Sequence, residues 1–173
     1  MTVLKKGKFK KRARRRPSVP GKEVNMLHPE YITGFCDGEA SFSVTLSPRK
    51  KLWEVRPSFS VSQNKTSKGV LFQVKDFFGC GYIRPSLKDN TYKYEVRSLK
   101  DLTLKIVPHF EKYPLKTEKR KNFEGLRDIV NIMHRSEHLN PKGLKEIFRL
   151  MEKINPGSKK IYDRKRLREL MNV

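Results

Sequence analysis

Asp37 and Glu39, flanking Gly38, close a stretch that begins at Tyr31, YITGFCDGEASFSV, and reads as a short helix running into a strand. Two carboxylates at a helix C-terminus are out of place. Unpaired carbonyls give that end a partial negative charge, which favours Lys, Arg or His there. The chain has 40 Lys plus Arg and only 18 Asp plus Glu, so the position of these two acids needs a chemical reason. Other chemistries have little to build on. Cys36 and Cys80 form no CxxC pair, and the four His lack ligand spacing, so a zinc site is not expected. Nothing reads as a Ser-His-Asp set or a Gly-rich phosphate loop. Both Cys are expected to be small packing residues in a reducing compartment.

The elements that position the two acids lie in a strongly basic chain of 173 residues with a formal charge of +22. Residues 1–25 are expected to form a basic tail, followed by one domain over 26–155 and a basic segment over 156–173. The first 22 residues hold ten Lys or Arg and no acid, and the rest still carries 30 basic against 18 acidic residues. The domain is therefore basic in its own right, and a polyanion, nucleic acid foremost, is the expected partner. No apolar run approaches the roughly 18 residues of a membrane span, and the first 25 residues have no apolar signal-peptide core. The Arg-rich start fits a DNA-hugging arm or an organellar address.

Periodicity then orders the chain. Residues 27–38 form a first helix, with Pro29 near its start and Gly38 as its stop. In SFSVTL and WEVRPSFSVSQ, apolar Phe42, Val44, Leu46, Val55, Pro57, Phe59 and Val61 alternate with polar residues, giving two half-buried strands joined by SPRKK. Val70, Leu71, Val74, Phe77 and Phe78 make the stripe of a second helix, closed by Gly79 and Gly81. GYIRPSL and TYKYEVRS form a second strand pair, with Tyr82, Arg84, Ser86, Lys93, Glu95 and Arg97 outward. Ser98 and Asp101 read as a capping box for a helix carrying Leu102 and Ile106. Another helix spans 117 to about 135 on Phe123, Leu126, Val130 and Met133. Asn140-Pro141 starts one on Leu144, Ile147, Phe148 and Met151, and a short basic helix is expected over 164–170.

The order α-ββ-α-ββ-α is an α+β fold: one antiparallel sheet, helices on its apolar face, and an opposite face rich in Ser, Thr, Tyr, Arg and Lys. A curved sheet with such a face fits a DNA major groove and base-edge readout.

The opening stretch joins this topology. ITGFCDGEAS, residues 32–41, resembles the motif of the LAGLIDADG homing endonucleases, with Ala40 where the family has its last Gly. The resemblance spans residues 27–155 and extends to FSVSQNK, GYIR, FEKYPLKTEKRKNFE and EHLNPKGLKEI. It implies the family's αββαββα fold with a saddle-shaped sheet. It also implies a homodimer, because the chain holds one motif and single-motif members pair. Gly34 and Gly38, four residues apart on one helical face, suit close approach of the twin helix, and Ile32, Gly34, Phe35 and Gly38 are the expected dimer contacts. Two Glu39 carboxylates then meet near the two-fold axis. They repel each other and the helix ends, and divalent cations relieve both effects. Mg²⁺ suits such oxygen ligands.

By the same resemblance, Glu39 and the Gly38 carbonyl are metal ligands, Asp37 is structural, and Gln63 orients the attacking water. Lys116 is the first choice for stabilising transition-state charge and Lys119 the second. The implied activity is Mg²⁺-dependent, site-specific double-strand DNA cleavage at a long near-palindrome. Ser43, Thr45, Arg56, Ser58, Ser60, Arg84, Lys93 and Arg97 are the expected DNA contacts. The alternative is a non-cleaving relative, an RNA maturase binding intron RNA or a DNA-binding regulator. The compartment, whether organelle or bacterial cytoplasm, is not legible.

Overall fold

The computed structural model describes residues 27–49, 52–86 and 89–154. The tail, the far C-terminal segment and the short helix expected at 164–170 lie outside them. Helix α1 (Pro29–Glu39) starts with Pro29 in its first turn, where the missing N–H is no loss, and buries Ile32, Thr33 and Cys36. It does not stop at Gly38. It continues to Glu39, and extended Ala40 (φ −78°, ψ 158°) leads straight into strand β1. Both acids therefore belong to the last helical turn.

Strands β1 (Ala40–Arg49) and β2 (Leu52–Asn64) pair antiparallel, from Ala40 opposite Val61 to Arg49 opposite Leu52. They run further than the alternation predicts, so Ser47, Pro48 and Arg49 of the expected loop are sheet residues. Helix α2 (Gly69–Phe78) ends on Gly79 in the left-handed region (φ 59°, ψ 31°), whose carbonyl accepts a hydrogen bond from Lys105 Nζ at 2.6 Å. Gly81 also has positive φ (72°), and a Cβ there would stand 2.7 Å from the Glu95 carbonyl and the Tyr94 ring. Only glycine lets the chain turn this closely into β3 (Tyr82–Ser86) beside β4 (Thr91–Val96).

The sheet order is β1-β2-β4-β3, all antiparallel. Pro57 is tolerated in β2 because the β4 ladder begins only at Phe59, leaving one side of β2 unladdered at Pro57. Pro85 lies on the edge strand β3.

Helix α3 (Leu99–Asp101), a π-helical turn (Leu102–Ile106) and α4 (Val107–Lys112) follow without a break. The Asp101 amide donates to Ser98 Oγ at 3.2 Å, which is half of the expected capping box. The π turn precedes Pro108, which has no N–H and whose ring would crowd the carbonyl four residues back in a regular α-helix. Helix α5 (Lys119–His134) and α6 (Pro141–Ile154) complete the helical layer. Asn140 Oδ1 caps α6, accepting from the Gly143 amide at 2.8 Å.

The core fills the space between sheet and helices. Phe42, Phe59, Phe110 and Phe123 pack edge-to-face or tilted, with centroids 5.3–5.6 Å apart. His109 is buried among Phe77, Phe78, Phe110 and Tyr113 and lies 3.2 Å from Thr33 Oγ1 on α1. The Thr33 hydroxyl has one proton, which it donates to the Tyr113 carbonyl at 3.2 Å. His109 Nε2 is then the donor to Thr33. Burial pulls the His109 pKa down to about 4, with Glu30 opposing weakly. The native state therefore excludes a proton that the unfolded chain takes up below its ordinary value of 6.5. Stability should be unaffected by this group above pH 6.5 and fall by about 3 kcal/mol as pH drops from 6.5 to about 4. Urea titrations across that range, with His109→Phe as the reference, should show the slope reduced in the variant.

Candidate active site and nucleic-acid face

The last turn of α1 meets the segment that leads into α5. Three donors converge on Asp37 there. Its carboxylate accepts from the Lys116 amide at 2.9 Å, from the Thr117 amide, 3.2 Å from each oxygen, and from Thr117 Oγ1 at 2.7 Å, and the Asp37 carbonyl lies 3.4 Å from the same hydroxyl. Desolvation opposes ionisation of Asp37, but the Thr117 and Lys116 donors outweigh it and hold the carboxyl below its ordinary range. Asp37 is thus fully engaged in tying α1 to this segment.

Glu39 is different. It is exposed and makes no hydrogen bond or ion pair with any described residue. Beside it, Lys119 Nζ donates to the Gly38 carbonyl at 2.5 Å. The two lysines of PLKTEK therefore do different things. Lys119 delivers its ammonium to the helix end next to Glu39, while Lys116 contributes its backbone amide and leaves its exposed side chain outside this network. Of the two, it is the second-choice Lys119 whose ammonium lies at the end of α1. The one-turn offset is what the sequence could not resolve. Thr117, whose hydroxyl and amide orient the segment, carries no local signal in the sequence, because its partner Asp37 is eighty residues away. Gln63 lies at the end of β2, two residues beyond the Ala40–Val61 pair that opens β1, and is partly buried.

Glu39 and the Gly38 carbonyl are oxygen donors of the kind Mg²⁺ takes. They are few, and among the described residues no group of three His, Cys, Asp or Glu could hold a metal. Mg²⁺ commonly binds through one or two carboxylates with water and phosphate oxygens. The donor set fits such an ion when further oxygens come from a second copy or a nucleic acid.

One face of α1 is open. Tyr31 is 52% exposed and stacks on half-buried Phe35 with centroids 6.3 Å apart. Gly34 and Gly38 share this face, and a Cβ on either would meet nothing within 4 Å. Within one chain, neither glycine is sterically required. Ile32 is a correction to the expected dimer face. It is 0% exposed and sits in the chain's own core, because a residue two positions before Gly34 points to the opposite side of a helix.

The outer sheet face carries the expected DNA contacts in register. Ser43 opposes Ser58 with hydroxyls 2.9 Å apart, Thr45 opposes Arg56, and Arg84 opposes Lys93. Thr45, Arg56, Arg84 and Arg97 are exposed, and Ser43, Ser58 and Lys93 are partly so. Two outward residues depart from expectation. Ser60 and Glu95, neighbours in the row Ser41–Ser60–Glu95–Tyr82 across all four strands, are each only 3% exposed. Ser60 is thus on the right face but covered, and Glu95 is a buried carboxylate at the centre of that face. Cys36 and Cys80 are free thiols, with burial pushing Cys36 up to about 12. No helix among the described residues is long and apolar enough to cross a membrane.

Residues 32–130 match the LAGLIDADG endonuclease family. The probable intron-encoded endonuclease 2 of Neurospora crassa is 36% identical over 138 residues, covering 78% of this chain and 30% of that protein. The homing endonuclease I-ApeII of Aeropyrum pernix is 36% identical over 112 residues, covering 62% and 65%. The crystal structure of the homing endonuclease I-TnaI superposes with a TM-score of 0.73 at 35% identity, over 84% of this chain and 97% of that one. The meganuclease I-SmaMI bound to uncleaveable DNA gives 0.73 at 26% identity, over 78% and 47%. The chain belongs to the LAGLIDADG endonuclease family. It spans less than a third of the Neurospora relative and about half of the I-SmaMI chain.

Removing the Asp37 carboxylate leaves the Lys116 and Thr117 amides without their partner, a loss of about 1–3 kcal/mol for such donors. Asp37→Ala should lower stability by that amount in urea unfolding. Lys116→Ala, which keeps the amide, should leave stability nearly unchanged.

Proposed function

We propose that this chain is a site-specific double-strand DNA endonuclease that works as a homodimer with Mg²⁺. The observation that carries the reading is the contrast at the end of α1. Asp37 is saturated with donors, while Glu39 stands exposed and unpartnered beside the Gly38 carbonyl and Lys119. A carboxylate that stabilises nothing in the folded chain, at a helix end that disfavours it, is suited to a ligand from outside.

The open face of α1 supplies the second half. Two copies packed through Tyr31, Gly34, Phe35 and Gly38 about a two-fold axis would bring both Glu39 side chains to one place. Two copies also match the size of the I-SmaMI chain, of which this chain covers about half. The polar sheet faces would then flank the centre and follow the major groove on either side. Glu39 and the Gly38 carbonyl would hold Mg²⁺, which when bound activates water and stabilises the leaving oxygen. Lys119 would place positive charge where it develops negative on the phosphate, and Gln63 would orient the attacking water. Of the two lysines, Lys119 is assigned the role because its ammonium is the one at Gly38.

The test is cleavage of a randomised duplex library by the purified protein with Mg²⁺. Double-strand cuts enriched at one long near-palindrome are expected. Glu39→Gln should abolish cutting while retaining binding. Lys119→Met should lower the cleavage rate by roughly 10²–10³, the scale of losing one positioned charge-stabilising group. Specific retention without cutting would favour a DNA-binding regulator, and retention of intron RNA alone a maturase. Gly34→Leu should shift the sedimentation equilibrium toward monomer, because a leucine at that point holds two helices apart. An unchanged dimer would remove α1 from the interface.

A further inference from the structure

At the centre of the outer face, Glu95 sits on β4, with Lys93 two residues before it on the strand, Arg97 two residues after it just past the strand end, and Tyr82 across it on β3. Its carboxylate accepts from the Tyr82 hydroxyl at 2.6 Å and from Arg97 Nη2 at 3.0 Å, and Arg84 Nε stands 3.4 Å away as an ion-pair partner. Glu95 is 3% exposed, while the Arg84 and Arg97 side chains are 49% and 55% exposed. The acid is covered and the two arginines are not.

We propose that Glu95 is a specificity-determining positioning residue, a clamp that fixes the Arg84 and Arg97 guanidinium groups in one arrangement on the DNA-facing surface so that they read neighbouring base pairs.

Arg84 lies on β3 and Arg97 just past the end of β4, yet each approaches a different oxygen of the same carboxylate. That draws both forks to one spot on the face. Arg97 gives one N–H to Glu95 and Arg84 is held by charge at its other oxygen, and both keep N–H groups for an outside acceptor, since a guanidinium has five donors. The pair Arg84–Lys93 places two cations directly opposite each other, an arrangement that repels without a nearby acid. Glu95 supplies that acid. It cannot be a reader itself, because its oxygens are covered and would repel phosphate. Free arginines on a sheet surface lose rotamer freedom when they bind, whereas clamped ones are ordered beforehand. The Tyr82 hydroxyl is held proton-bearing by burial and by its bond to Glu95, which keeps it a donor to the carboxylate.

This inference rests on the endonuclease reading, and its test separates the two. In the free protein, NMR of the guanidinium groups should show hindered rotation for Arg84 and Arg97, released in Glu95→Gln. On DNA, affinity is measured for every single-base variant of the preferred site. Arg84→Ala and Arg97→Ala should each flatten the preference at their own positions, roughly tenfold for a lost bidentate guanine contact. Glu95→Gln should flatten the same positions by several-fold and leave the others unchanged. If Glu95→Gln unfolds at the working temperature, Tyr82→Phe, which removes one bond to the carboxylate, should give a weaker form of the same pattern. A specific wild-type protein whose Glu95→Gln profile is unchanged, or weakened uniformly at all positions, overturns the clamp and leaves the nuclease reading standing. A wild-type protein with no base preference overturns both, whatever the guanidinium rotation shows.

Discussion

The rest of the candidate centre depends on the donors that Lys116 and Thr117 present to Asp37. A negative charge at a helix C-terminus costs about 0.3–1 kcal/mol, while hydrogen bonds to a charged group contribute about 1.5–3 kcal/mol. Asp37, with two amides and a hydroxyl around its carboxylate, comes out ahead. Those bonds join the end of α1 to a segment almost eighty residues away and so fix where α5 begins. Lys119, in the first turn of α5, reaches the Gly38 carbonyl as a consequence. Glu39, one residue past Gly38, receives no such compensation. One acid thus builds the platform on which the other remains available.

Helix α1 is short for the number of demands on it. Its inner side buries Ile32 and Cys36, and Thr33 hydrogen-bonds buried His109. Its opposite side shows Tyr31, Gly34 and Gly38 to solvent, and its last turn carries the acids. A helical repeat of 3.6 residues keeps these roles apart within eleven residues. Because β1 starts at the very next residue, motion of the sheet would move Glu39 with it. Core, open face and acid pair are mechanically one unit.

Much of this was legible from residue order. Alternation located β1 and β2 and sorted their faces correctly, because a period of two leaves no ambiguity when one face is apolar and the other Ser-rich. Capping residues found the starts of α3 and α6, since Ser98 and Asn140 bond to amides only three residues away. What stayed hidden was long range. Nothing local says that Thr117 will bond to Asp37, or which of two lysines three residues apart will face Gly38. Ile32 sits beside the glycines in the motif yet faces the core, because two residues along a helix turn a side chain to the other side. Glu95 read as one more outward charge, since its burial arises from Tyr82 and Arg84, which reach it from the neighbouring strand.

The row Ser41–Ser60–Glu95–Tyr82 has a consequence for how such a protein changes over time. Away from the centre, exposed outward residues such as Thr45 lie on the face opposite Phe42 and Phe59 and can be replaced without disturbing the core beneath. In the proposed DNA-reading role, drift at such positions would alter what the face reads at small cost in folding. In the middle, folding and that proposed task are joined: Ser60 and Glu95 are as buried as core residues yet lie on the outer face. New target preferences should therefore arise most easily at the flanks of each sheet. The centre would move only when an acid, a tyrosine and two arginines are exchanged together.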